Sequence, residues 1–180
     1  MNDYRNFTEY VVKPEVTSKV KFARVLLVTA YTLFTAMYLF IFWILLQGLA
    51  FLILLPFLLF AIIKLTWRFT CVEYEYIIEA GELTVAVIYG GSARRVKCRI
   101  SLPDVTLIAP LDNESERILT SPDISDVKRY CGSENSDNTY ISVYPVKNGS
   151  KKRALIFDTT AEAQRILRIC NPSAFVSYKR

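Results

Sequence analysis

Between Val25 and Ile63 the chain runs for thirty-nine residues without a single charged side chain. A straight helix of that length would extend for nearly 60 Å at about 1.5 Å per residue. The hydrocarbon core of a bilayer is about 30 Å thick and takes about 20 helical residues. One helix is therefore twice too long, and two fit. The sequence marks the turn at Gln47-Gly48, the polar-plus-glycine break near the middle. The spacing predicts a first span over Arg24–Leu46 and a second, shorter one over Leu49–Leu65. Pro56 is a kink point in the second, a defect that neighbouring groups offset in lipid. A soluble helical hairpin is the competing reading, but more than eighteen uncharged apolar residues are rare in a soluble core. A cleaved signal peptide does not fit either: the stretch is too long, acidic Asp3, Glu9 and Glu15 lie upstream, and no small-residue cleavage site follows.

The flanks give orientation. Lys13, Lys19, Lys21 and Arg24 precede the first span, Lys64 and Arg68 follow the second, and the turn carries no charge. Positive residues stay on the cytoplasmic side, so both termini are expected there, with Trp67 at the interface. The chain then divides into a short basic N-terminal segment (1–23), a transmembrane hairpin (24–66) and a cytoplasmic domain (67–180), all in the plasma membrane or on its inner face. Thr29, Thr32 and Thr35 supply hydroxyls either for contacts between the spans or for bonds to their own backbone.

From Phe69 the continuous apolar pattern gives way to alternation. Val72, Tyr74 and Tyr76 alternate with Glu73 and Glu75, as in a strand with one wet face. Glu79-Ala80-Gly81 reads as a turn, and Leu83, Val85 and Val87 continue as a second strand. Gly90-Gly91-Ser92 is the next turn signal. Val96, Cys98 and Ile100 then face one way, with Arg95, Lys97 and Arg99 on the other. VTLIAPL is a fourth apolar piece. Asp112 to Asn138 is polar and reads as a long loop with a weak helical signal over Asp123–Tyr130. Tyr140–Val146 and Arg153–Phe157 make a hairpin around Asn148-Gly149, a strong turn pair. Thr159, with Glu162 three residues on, predicts the start of a final helix, whose apolar face is Ala163, Ile166, Leu167 and Cys170 and whose end is Asn171-Pro172. Strands followed by one amphipathic helix imply an α+β domain, a curved antiparallel sheet or partly open barrel closed by that helix.

Little here points to catalysis. The chain has no histidine, which removes Ser/His and Cys/His nucleophile pairs and histidine metal sites. Cys71, Cys98, Cys131 and Cys170 form no C-x-x-C pair and read as small thiols in a reducing compartment. Gly90-Gly91-Ser92-Ala93-Arg94 lacks the phosphate-loop pattern and lies between strands. No cofactor motif is present, and the expectation is a protein that is not an enzyme. The net charge of +5 is too mild to argue for nucleic acid, and the bases are not interleaved with aromatics as single-strand binding requires. Two basic groups remain as candidate contacts with anionic lipid or a partner: Arg94, Arg95, Lys97 and Arg99 on one strand, and Lys147, Lys151, Lys152 and Arg153 around one hairpin. Each base near an anionic leaflet contributes on the order of 1 kcal/mol.

Taken in order, EYVVKPE near the start, Val72–Tyr76, Gly81–Val85, Arg94–Arg99, Leu155–Asp158 and Thr160–Pro172 are similar to the motifs of a family of small bacterial membrane proteins, a domain of unknown function. That family joins an N-terminal two-helix transmembrane hairpin to a pleckstrin-homology-like cytoplasmic domain. Each motif is short, and their order after the hairpin carries most of the resemblance. This chain departs at Ala86, where the family usually has Asp, and in a lighter basic strand. The resemblance implies a fold and a location but no reaction. The expected role is interaction: a membrane-integral adaptor that binds a protein partner or itself, or else a module that reads anionic lipid headgroups, with Asp112–Asn138 as a plausible contact segment.

Overall fold

Two long helices account for the apolar run. The computed structural model of the protein describes residues 7–46, 49–133, 138–146 and 151–176. Helix α1 spans Ser18–Ile41 and passes into a π-helical segment, Phe42–Leu46. Helix α2 spans Leu49–Trp67 and ends in a 3-10 turn, Arg68–Thr70. The expected turn at Gln47-Gly48 lies outside the described residues. The helices run antiparallel, because the start of α1 meets the end of α2. The Tyr31 hydroxyl lies 2.5 Å from Thr66 Oγ1, and Arg24 donates to the Thr70 carbonyl at 3.1 Å with its guanidinium over the Trp67 ring. Both helices are long and apolar enough to cross a membrane. Their large side chains point outward: Phe22, Trp43, Phe57 and Phe60 are each about two-thirds or more exposed. α2 passes through Pro56 as one helix. The threonines take the local option, since Thr29, Thr32 and Thr35 donate to the carbonyls of Val25, Val28 and Tyr31 one turn back.

By internal contacts the chain divides into two units, one of Val16–Val72 with Tyr89–Ala93 and one of the remaining residues. In the helical unit, the Gly90-Gly91-Ser92 turn is held against the segment after α2. The Gly90 N–H donates to the Cys71 carbonyl at 2.7 Å, and the Phe69 and Tyr89 rings meet edge to face. Gly90 has φ +59°, and a Cβ there would lie 2.7 Å from Arg68 Cβ. Positive φ and this close approach both require glycine.

The second unit is built from two four-stranded sheets. The strands are β1 (Thr8–Val12), β2 (Val72–Glu79), β3 (Glu82–Tyr89), β4 (Ala93–Ser101), β5 (Leu107–Pro110), β6 (Ile124–Tyr130), β7 (Thr139–Pro145) and β8 (Lys152–Asp158). The first sheet has the order β1-β2-β3-β4 and the second β5-β7-β8-β6. Two residues join β2 to β3, a connection that only antiparallel neighbours allow. β7 and β8 pair antiparallel, whereas β6 lies parallel to β8.

β1 comes from the segment ahead of the hairpin, which the sequence reading set apart from the domain. It pairs antiparallel with β2, with Tyr10 opposite Tyr76 and Val12 opposite Tyr74. The EYVV motif is therefore a sheet strand, and the apolar hairpin is inserted between two neighbouring strands.

The main core lies between the sheets. Tyr76, Ile78, Leu83, Val85 and Ile100 of the first sheet meet Ile108, Tyr140, Leu155 and Phe157 of the second, and Ala163, Ile166 and Leu167 of helix α4 (Ala161–Cys170) complete it. Fully burying each such large side chain stabilises the fold by roughly 1.5–3 kcal/mol. The second sheet is covered on its other face too. Ala109, Ile141, Val143, Ala154 and Ile156 form a smaller cluster with Leu119 of helix α3 (Asn113–Leu119). Burial on both faces explains why β7 and β8 read as nearly continuous apolar runs.

Two expectations need correction. Asp112–Asn138 is no long loop: it contains α3 and β6. Asp112 caps α3, accepting from the N–H groups of Glu114 and Ser115, while the Ser115 hydroxyl accepts the Asp112 N–H. The weak helical signal over 123–130 is a strand. The final helix is capped by Thr160, whose hydroxyl accepts the Ala163 N–H at 3.2 Å. Thr159 cannot serve, because its own hydroxyl donates to the Asn138 carbonyl and accepts from Gln164.

Candidate functional site

The eight basic candidates fall on both sheets. Arg94, Arg95, Lys97 and Arg99 lie along β4, the edge strand of the first sheet, and all four are exposed. Lys152 and Arg153 begin β8, inside the second sheet, with Lys151 just before it. Lys147 lies outside the described residues. The alternation read from the sequence holds at Cys98 and Ile100, whereas Val96 is exposed.

Arg94 has a structural partner. It reaches across β3 and donates to the carboxylate of Glu75 on β2. Glu75 is only 7% exposed, so the guanidinium compensates a carboxylate withdrawn from water. Ala86, on the intervening strand, is 1% exposed. Lys13 and Glu73 make a second ion pair, at 3.3 Å. Its lysine is exposed, and the pair is worth little.

Asp158, at the end of β8, is a structural hub. Its carboxylate accepts from the Thr139 hydroxyl at 2.8 Å and from the Gly132 N–H. Its carbonyl accepts the Tyr10 hydroxyl at 2.8 Å. Burial and the nearby Asp158 carboxylate push the phenols of Tyr10 and Tyr76 well above the usual tyrosine range. The Tyr76 hydroxyl donates to the Tyr130 carbonyl. Asn171 does similar work past α4: its amide donates to the carbonyls of Leu102 and Val105 and accepts from Ser173 and the Ala174 N–H. The phenols and the aspartate are thus spent on holding segments together.

Other reactive groups are muted. Burial pushes the Cys98 thiol up to about 11, against a smaller opposing effect of Lys128. Among the described residues no group of three His, Cys, Asp or Glu side chains could hold a metal ion. A shallow depression of about 580 Å³ runs beside β1, lined by Phe7 to Val11 and Glu162. A smaller hollow of about 180 Å³ lies by α3, with Leu107, Ile118, Ile124 and Val143 as apolar walls and Asp123 and Lys152 at its polar rim.

Sequence reasoning missed the exposed edge of β6. The strand was hidden in a polar stretch because its partner, β8, lies more than twenty residues away. The parallel pairing register with β8 is the only signal that reveals it, and that signal is tertiary.

Comparison with curated proteins and with solved structures finds no match. A family model described as a bacterial PH-like domain (DUF6106) matches residues 2–177. That match takes in β1, the hairpin, both sheets and α4, and the chain belongs to this family of bacterial PH-like domains.

Proposed function

We propose that the protein is a non-catalytic, membrane-anchored interaction module, whose hairpin crosses the bilayer twice and whose sheet domain binds a protein partner or another copy of itself on the cytoplasmic side. The observation that carries the topology is the pairing of β1 with β2. One strand precedes the apolar run and the other follows it. Hydrogen-bonded neighbours in one sheet lie on one side of a membrane, so the intervening chain crosses an even number of times. The outward-facing apolar side chains of both helices require lipid or another apolar partner, and the basic flanks favour a cytoplasmic domain. The absence of histidine and the structural use of Asp158, Tyr10 and Tyr76 support a binding role over a catalytic one.

The test is purification of the tagged chain from gently solubilised membranes, with co-purifying proteins identified by mass spectrometry. A near-stoichiometric protein, or an untagged second copy, supports the reading. A preparation holding the tagged chain alone overturns it in favour of lipid sensing.

Lipid sensing is the second reading, favoured by the exposure of Arg95, Lys97 and Arg99 along β4. Attraction of these bases to anionic headgroups fades as ionic strength rises and the Debye length shortens. Reversing all three charges would abolish salt-sensitive binding to anionic vesicles if this reading holds, and would leave it unchanged if the bases are only a solvated face.

A further inference from the structure

β6 is an edge strand: β8 lies on one side of it, and among the described residues no strand pairs with the other. Ser125, Asp126, Val127 and Arg129 are exposed. An open ladder of this kind is a template for another strand. The opposite edge of the same sheet is already closed, since the chain around Phe175 bridges to Ile108 on β5.

We propose that the open edge of β6 pairs antiparallel with β6 of a second copy of this chain, about a two-fold axis at Val127. The inference rests on the interaction-module reading and names its partner. The backbone limits the registers. Successive residues of a strand turn their backbone groups alternately to one side and the other. Only outward-turned residues can exchange hydrogen bonds across the new ladder, so the two-fold axis must pass through a residue and not between two.

Charge selects among those registers. Centred on Val127, each Asp126 stands opposite the partner copy's Lys128, giving two symmetric ion pairs. Centred on Asp126, two carboxylates oppose each other. Centred on Lys128, two ammonium groups do. Opposite charges directly across a ladder stabilise and like charges destabilise. Neither Asp126 nor Lys128 belongs to an ion pair among the described residues. The centred register also places the exposed Val127 pair face to face on the axis.

The ladder is short. The pairing with β8 skips a residue between Ile124 and Asp126, so the regular edge begins at Asp126. Two free domains would gain little from so few residues. Copies anchored in one membrane meet at a much higher effective concentration, and this is where the contact operates.

The experiment is co-purification of two differently tagged full-length copies from the same membranes, using Asp126→Lys and Lys128→Asp. The unchanged chain should capture itself. Each single variant should capture its own kind roughly tenfold less, because both attractive pairs become repulsive. The two variants expressed together should capture each other, because one then offers two lysines to the other's two aspartates. That recovery also shows that both variants are folded. Equal self-capture by a single variant, or no recovery in the mixture, overturns the β6 contact. If the unchanged chain captures itself through another surface, or captures a different protein, the β6 proposal fails while the interaction reading stands. If it captures nothing, both fail.

Discussion

Tyr10, ahead of the apolar hairpin, stacks on Tyr76, beyond it, with ring centroids 5.1 Å apart and planes at 29°. Residues separated by two long helices thus form one contact in the main core, and Tyr10 also donates to the Asp158 carbonyl on β8.

Removing β1 should therefore cost more than removing the hairpin. A chain in which residues 18–70 are replaced by a short flexible linker, keeping β1 beside β2, is expected to remain folded and soluble. The fragment 67–180 leaves β2 as an open edge and uncovers Tyr76, and it is expected to aggregate. In the linked chain Tyr10→Phe should lose about 1 kcal/mol with its hydrogen bond. Tyr10→Ala should lose about 3 kcal/mol or more, near the cost of truncating a packed aromatic ring. Denaturant unfolding measures both.

Asp158→Asn keeps the shape of the hub and changes its chemistry. One carboxylate oxygen becomes an NH2 group facing either the Thr139 hydroxyl or the Gly132 N–H. Thr139 can rotate its hydroxyl to accept, but Gly132 cannot. A lost charged acceptor in a buried site should cost about 2–3 kcal/mol. The favoured orientation turns the NH2 to Thr139 and leaves Gly132 a neutral, weaker acceptor, so the loss should appear in denaturant unfolding, and an unchanged midpoint would count against the hub.

Arg94→Ala should destabilise the linked chain by about 1–2 kcal/mol, because it leaves the buried Glu75 carboxylate without its cation. The partial exposure of Arg94 keeps the figure at the low end for a buried pair. Arg95→Ala, on an exposed site of the same strand, should stay within about 0.5 kcal/mol. If vesicle binding falls equally for both, Arg94 has a role at the surface beyond this pair.

Alkaline pH should weaken the domain. Tyr10 and Tyr76 hold their protons more tightly in the fold than in the unfolded chain. The unfolded state therefore ionises first, and stability falls as pH rises above about 10, the ordinary phenol value. Cys98 adds a smaller loss between its ordinary 9.0 and about 11. Tyr10→Phe should flatten the decline in unfolding midpoint above pH 10. At pH 8 the thiol of Cys98 should react with an alkylating reagent more slowly in the folded domain than after unfolding.

The sequence by itself determined what local pattern and length can decide. An uncharged run twice the bilayer thickness makes two helices, and alternation bounded by Gly81 and Gly90 makes β2, β3 and β4. Helical spacing from Ala163 to Cys170 makes α4, down to its end at Asn171. Tertiary structure decided what depends on partners distant in the chain. β1 is a strand because β2 lies beside it, across the whole hairpin. β6 is a strand because β8 offers it a parallel edge, although its own composition resembles a polar loop. Thr160 rather than Thr159 caps α4 because Asn138 occupies the Thr159 hydroxyl. Arg94 differs from Arg95 because Glu75, two strands away, is buried beneath it. In each case the sequence carries the residue, but a hydrogen bond or ion pair with a remote group sets its role. No local periodicity encodes which remote group that will be.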